Sequence, residues 1–348
     1  MNLVSENFVA PDGLALERGS VIADLPGFYK PDADSYQYAE LGWMFDMFAR
    51  GQTLRSIPKF VSWCFSGSVI STLRSLDRVS HSLEVRDARL LERSEGLTKA
   101  EFFHKFGFVL LQHESQMSAA DWIASGESFQ VDERSKSAGE QAIYNMEVET
   151  PAKKIYAAEC EEMIRELFPS ARDFFLPGMG ARRGPDFYNL YAMTLHADYP
   201  MDFDLAAEKN PWADLKRQRE AFLASEIKEF YQVNFWRPVL PMQGPVKAHP
   251  LCFLDPNTVR VEDIVLEETK GQIAGGQAYL TLKNHPDQQY YYYPEMTTDE
   301  VLLFKNAHYR KGETIGDMPI FHSAFEHPHT TKTTEPRLSF EYRVGFFV

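Results

Sequence analysis

The residues best placed to do chemistry are His196 and Asp198, two positions apart at the end of a strand-like run. In an extended strand, residues i and i+2 point to one face. An imidazole and a carboxylate would therefore project together, two thirds of the 2-His-1-carboxylate triad that holds Fe(II) with open coordination positions. Ten histidines in this composition yield roughly one His-x-Asp by chance. The chain holds a second, His285-Pro-Asp287. Its proline blocks ladder pairing, so it reads as a hairpin turn. On the His196 side, Thr194 and Ala192 are small and leave room beside a metal, whereas Leu195, Met193 and Tyr191 read as a core face.

A third ligand must come from elsewhere, and His308, His322, His327 and His329 are the downstream candidates. His322 opens a short apolar strand-like run. His327 and His329 read as turn and surface, and His308 as loop. Arg337-Leu-Ser339 follows fifteen residues after His322 and opens the last strand-like run. Its odd positions, Arg337, Ser339, Glu341 and Arg343, are polar, and its even positions, Leu338 to Val344, are apolar. Such a strand could lie at an edge with its polar face in water. Alternatively that face looks into a barrel pocket, where Arg337 would bind a carboxylate through two parallel N–H···O bonds and Ser339 would donate a third. A dicarboxylic cosubstrate such as 2-oxoglutarate needs that at its distal end.

The elements that must position these groups can be read from periodicity. Strand-like runs are expected at 82–91 and 106–112, with a polar loop at 124–138. Helices are expected at 38–48, from Thr150-Pro151 to about 167, and at 210–230. From residue 184 onward strand-like runs dominate, at 187–196, 233–240, 278–283, 289–293, 301–305, 320–325 and 338–348, interrupted by one helical insert. The fold class expected is mainly β with flanking helices around a jelly-roll core. Residues 1–180 would buttress and lid a β core over 181–348, all in one structural domain.

With these landmarks the sequence resembles the non-haem Fe(II)/2-oxoglutarate oxygenases typified by the cephem methoxylase, gibberellin-desaturase-like enzymes and a fungal endoperoxide-forming oxygenase. The resemblance covers most of 82–348. It rests on Val85-Arg-Asp-Ala-Arg89, Gly107-Phe108, Gly180-Ala-Arg-Arg-Gly184, His196-Ala-Asp198, Asn234-Phe-Trp-Arg-Pro238, Pro250-Leu251, Asp255, Asp299-Glu-Val-Leu-Leu-Phe-Lys305, His322-Ser-Ala-Phe325 and Pro336-Arg-Leu-Ser339. It implies a double-stranded β-helix, with His196, Asp198 and His322 on iron and Arg337 with Ser339 on 2-oxoglutarate. It also implies O₂ as co-reactant and hydroxylation, desaturation or oxidative ring closure of a small specialised metabolite. Trp236, Arg237, Tyr291, Tyr293 and Arg343 are candidates for the substrate pocket, and Arg182 and Arg183 for an anionic substrate. If Arg237 or Arg343 faces the pocket, a carboxylate-bearing substrate would use the surplus charge. Two other readings keep parts of this pattern. One is a jelly-roll binding protein without catalysis, and the other a cupin-type metal oxygenase that does not use 2-oxoglutarate.

Composition sets the boundaries. The chain has 348 residues, 44% of them apolar and 14% aromatic, enough for a sizeable core. Acidic residues outnumber basic ones 50 to 36, a net charge of −14 that disfavours nucleic acid as partner. Three scattered cysteines form no disulfide framework and fit a reducing compartment. No signal-peptide pattern and no apolar run long enough to span a bilayer is read, so a cytoplasmic location without membrane association is expected.

Overall fold

The computed structural model describes residues 19–29, 36–37, 78–127, 149–182, 191–210, 214–269 and 277–348. The strands among them are β1 (Val21–Tyr29), β2 (Tyr36–Gln37), β3 (Arg78–Asp87), β4 (Phe108–Gln112), β5 (Arg172–Arg182), β6 (Glu229–Pro238) and β7 (Leu251–Leu254). They continue with β8 (Ile264–Thr269), β9 (Gln277–Leu282), β10 (Tyr290–Tyr292), β11 (Glu300–Arg310), β12 (His322–Ala324) and β13 (Ser339–Phe347). The α-helices are α1 (Ala88–Glu95), α2 (Lys99–Phe106), α3 (Ala119–Glu127), α4 (Ala157–Leu167), which continues a π-helical turn over Ala152–Tyr156, α5 (Phe203–Lys209) and α6 (Leu215–Ala224).

Two five-stranded sheets face each other, a major one ordered β4-β11-β6-β13-β5 and a minor one ordered β1-β3-β10-β7-β12. A small sheet, β2-β8-β9, continues the minor side. Residues 196 and 197 join the two by isolated bridges, His196 to His322 and Ala197 to Leu280. This is the double-stranded β-helix, or jelly roll. The outer face of the major sheet is covered by the helices: Trp122 packs on Phe340 at 5.0 Å between ring centroids, Tyr156 on Tyr342 at 5.7 Å, and Phe168 on Phe346 at 5.1 Å. One end of the barrel is plugged by α5 and α6, with Phe203 stacked on Tyr309 at 3.8 Å and on Phe230 at 5.3 Å. Burying such rings is the main stabilising contribution of an aromatic-rich core.

Several elements differ from their sequence expectations. The strand expected over 82–91 ends at Asp87, whose carboxylate accepts from the Arg89 amide at 2.8 Å and caps α1. Ala88-Arg-Leu-Leu91 are good helix formers, and the cap decides the switch. The run at 106–112 likewise divides. Phe106 closes α2, Gly107 turns the chain at φ 74°, and β4 starts at Phe108. The polar stretch from 124 begins inside α3, and its remainder beyond 127 lies outside the described residues, as does the helix expected at 38–48. The helix expected over 210–230 is the shorter α6, which ends at Ala224, and β6 begins at Glu229; α5, just before this span, is not among the expected helices. Phe230, read as part of a helical stripe, pairs with Phe347 as a strand residue. A short apolar run satisfies both periods, and here the long-range ladder wins. Residues 191–195 form no regular strand, and 187–190 lie outside the described set.

The N-terminal half is tied to the core by a polar clamp. Arg89 donates to both carboxylate oxygens of Glu300, at 2.7 and 2.8 Å, and to the Pro294 carbonyl. Burial by itself would raise the Glu300 carboxyl. The Arg89 bonds, with the Thr297 amide and Gln112, bring it below its ordinary value. Its depressed folded pKa means that this stability is present above the unfolded value of about 4.3 and is lost as pH falls through the folded value. Arg89→Ala should therefore destabilise by about 1–2 kcal/mol at neutral pH. In a pH series of melts, its deficit against the wild type should shrink below about pH 4.

Candidate metal centre

The antiparallel pairing of His196 with His322 builds the site. Each backbone N–H donates to the other's carbonyl, at 3.1 and 2.8 Å, so the two side chains share one face. Their rings lie 4.6 Å apart. Asp198, two residues on, brings a carboxylate to the same face, with Oδ1 3.6 Å from His196 Nε2. One ligand atom from each of His196, Asp198 and His322 lies within 4.8 Å of the others. Both imidazoles are oriented by the backbone: His196 Nδ1 lies 2.7 Å from the Thr194 carbonyl and His322 Nδ1 3.1 Å from that of Ile320. A carbonyl only accepts, so Nδ1 carries the proton in each ring. Nε2 is left with its lone pair facing the cluster, as a metal ligand requires.

The electrostatics agree. Burial, then the neighbouring His196, pull His322 down to about 4, so it is neutral at ordinary pH. Burial by itself would raise Asp198. The Arg343 guanidinium and the two imidazoles reverse this and hold it well below the usual carboxylate range. Arg343 Nη2 lies 3.0 Å from Asp198 Oδ2 and 2.9 Å from Glu341 Oε1, and Nη1 donates to the Tyr199 hydroxyl at 3.3 Å. One Asp198 oxygen is thus anchored while the other faces the histidines. The donor set of two imidazoles and one carboxylate, from one side of a cleft, fits a divalent iron-group ion.

The opposite wall is the inner face of the major sheet. Directly paired residues on antiparallel strands share a face, which places Ser339, Glu341 and Arg343 of β13 beside Pro238, Trp236 and Asn234 of β6. Leu302 and Phe304 of β11 complete two of these rows. Phe304 meets the His322 ring at 4.7 Å. Arg337, just before β13, lies 4.2 Å over the Tyr191 ring and 5.2 Å from Trp236, with its Nη1 donating to the His249 carbonyl. Ser339 Oγ is buried and has no hydrogen-bond partner among the described residues.

The structure therefore brings His196, Asp198, His322, Trp236, Arg337, Ser339 and Arg343 to one cleft. It does not bring the others. Arg237 points outward, donating to the His113 carbonyl at 2.9 Å and lying over Trp122 and Tyr156. Tyr291 shares a face with His322 but sits two strands away, donating to Gln289 and lying 6.3 Å from Phe108. Tyr293 donates to Glu92 under α1. The Arg182 side chain and Arg183 lie outside the described residues. His308, expected in a loop, is a buried β11 residue on the outer face, held between Glu229 at 2.9 Å and Asp317 at 2.7 Å. Its alternating strand simply continues through a bulge at 305–307 that the sequence pattern hides.

Two positions carry structural roles that residue types alone do not announce. Gly27 has φ 105°, and a Cβ there would run into Thr194 Cγ2 and come within 3.0 Å of the Leu195 amide. That amide donates to Pro26 O, so β1 presses against the segment that delivers His196. Gly27→Ala should displace 194–196, cost about 1–3 kcal/mol of stability, and weaken metal binding in a titration of the folded variant. The other position is Asn234. Its signal is the polar alternation Gln232, Asn234 inside an otherwise apolar strand.

A sequence-family model described as Oxidoreductase/YMDC permease-like domain matches residues 67–347. The chain belongs to this family. Despite the family's permease label, no helix among its described residues is long and apolar enough to cross a membrane. Similar family-sized proteins are fungal: Oxidoreductase clz16 of Cochliobolus lunatus, 23% identical over 76% of this chain and 84% of that one, and Oxidoreductase R2 of a Phoma species, 24% identical with the same shares. Hydroxylase/desaturase asaB of Aspergillus flavus is 32% identical over 33% of this chain and 54% of its own length. Among solved structures, the iron and alpha-ketoglutarate-dependent endoperoxidase NvfI shares the fold with a TM-score of 0.61 at 17% identity. That match covers 95% of this chain and 99% of NvfI. A variant of the same enzyme aligns with a TM-score of 0.60 at 18% identity, over 94% and 98% of the two chains.

Proposed function

We propose that this oxidoreductase is an Fe(II)- and 2-oxoglutarate-dependent oxygenase acting on an unactivated C–H bond of a small molecule in specialised metabolism. The observation that carries this is the convergence of His196, Asp198 and His322 opposite a wall that carries Ser339 on β13 and Arg337 just before it. The fold shared with an iron- and alpha-ketoglutarate-dependent endoperoxidase and the relatedness to a hydroxylase/desaturase support the same chemistry.

When bound, iron with 2-oxoglutarate and O₂ supplies the oxidising power for C–H cleavage, and 2-oxoglutarate leaves as succinate and carbon dioxide. The chain's own residues bind and orient. His196 and His322 would offer Nε2, each ring fixed through its Nδ1–H to a backbone carbonyl. Asp198 would offer Oδ1 while Arg343 retains Oδ2. Arg337, held against the Tyr191 and Trp236 rings, would take the distal carboxylate in a fork, and Ser339 would donate beside it. Phe304 and Trp236 exclude water from the cleft, which strengthens every charge contact inside it.

The substrate is a small molecule whose product is hydroxylated, desaturated or ring-closed. Surplus positive charge for an acidic substrate is not supplied by Arg237, which faces outward, or by Arg343, which is engaged by Asp198 and Glu341. The test of the function is Fe(II)-dependent release of succinate from 2-oxoglutarate by the purified chain, stimulated by the correct metabolite and lost with the triad.

A further inference from the structure

Asn234 is fully buried, and neither its amide oxygen nor its amide nitrogen has a hydrogen-bond partner among the described residues. Leaving two polar atoms of one side chain unpaired in a protein interior is costly, so such a group calls for a partner that the protein alone does not provide. Its position says which. Asn234 pairs with Arg343 on one side and Phe304 on the other, so the three side chains form one row across the inner face of the major sheet. Both flanking residues touch the triad from opposite ends, Arg343 at Asp198 and Phe304 at His322. The middle of the row, about 4.8 Å from each neighbouring strand, is therefore the point on β6 that faces the metal ligands. All three ligands reach across from the minor-sheet side. The open side of the centre is thus turned toward Asn234.

The geometry points to Asn234 as the donor that binds the metal-side carboxylate of the 2-oxo acid, with its Nδ2–H₂ directed at that group. This rests on the function proposed above and adds the residue that grips the near end of the cosubstrate, where Arg337 and Ser339 serve the far end. The division of labour follows from the rows. Arg337 lies against Trp236 and Tyr191, beyond the Leu302-Trp236-Glu341 row, while Asn234 is level with Asp198 and His322. Among the described residues no cation is available at the near end, because Arg343 is engaged by Asp198 and Glu341. A neutral amide donor suits a carboxylate whose charge is already met by the metal.

The test is an anaerobic titration of the Fe(II)-loaded full chain with 2-oxoglutarate and, separately, with 2-oxobutyrate, which lacks the distal carboxylate. Binding is read from the visible charge-transfer absorption of the iron–2-oxo acid chelate. Asn234→Ala should weaken both acids by the same factor, about tenfold. Asn234→Asp, which fits the same space, should weaken both further by setting carboxylate against carboxylate. Arg337→Ala should weaken 2-oxoglutarate alone. Fe(II) affinity unchanged in Asn234→Ala shows that fold and triad are intact. Wild-type affinity for both acids in Asn234→Ala and Asn234→Asp, or a loss confined to 2-oxoglutarate, overturns the assignment. Absence of any chelate absorption in the wild type overturns the oxygenase reading as well, and is a distinguishable result.

Discussion

His196→Ala is expected to abolish iron binding and turnover while leaving the barrel folded. The imidazole is one of the three proposed ligands, and metal affinity should fall by more than about a hundredfold, since loss even of outer-shell partners costs 10–100-fold. The fold is expected to survive because the ring is partly exposed and its departure strands no buried charge. His196 lies at an isolated bridge whose backbone bonds to His322 do not use the side chain. Asp198→Ala is expected to lose the metal equally but to differ in stability. It removes the carboxylate facing a buried guanidinium, leaving Arg343 with Glu341 and Tyr199. Because Arg343 keeps these partners, losing one of its two carboxylates should cost about 1–3 kcal/mol, so this variant should melt below His196→Ala. Metal content after purification and paired thermal melts check both statements. Full activity in His196→Ala would remove the site assignment.

Arg337→Ala should raise the 2-oxoglutarate requirement roughly a hundredfold, equivalent to about 3 kcal/mol for a buried carboxylate deprived of its charge partner. The kcat at saturating 2-oxoglutarate should change much less, because the distal carboxylate binds alike in ground state and transition state. The effect belongs to Arg337 rather than to Arg343 because only Arg337 sits away from Asp198, sandwiched by Tyr191 and Trp236. Arg337→Lys should recover only part of the loss, since an ammonium cannot form the two parallel bonds of a guanidinium. An unchanged dependence on 2-oxoglutarate in Arg337→Ala would assign the far-end contact to another cation.

Much of the site was legible because it rests on period-2 alternation. His196 with Asp198, and Ser339 with Glu341 and Arg343, share faces because i and i+2 do so in extended chain, even where, as at 196–198, the ladder is only a pair of bridges. What stayed hidden depended on pairing. Nothing local says that Asn234 lies between Phe304 and Arg343, or that Arg237, its near neighbour, turns outward onto Trp122 and Tyr156. Arg237 was therefore read as a pocket candidate and Asn234 given no role. In the fold, the misplaced boundaries fall where caps intervene: Asp87 turns a strand into α1, and Gly107 separates α2 from β4. At Phe230 a helical and a strand reading both fit, and only the ladder of β6 with β11 and β13 decides.

The most direct test of the metal assignment is anaerobic calorimetric titration of the purified chain with Fe(II), followed by 2-oxoglutarate. The expected result is one iron per chain, 2-oxoglutarate binding only after iron is present, and loss of both in His196→Ala. An absence of saturable iron binding, or iron binding undiminished in His196→Ala, would contradict it.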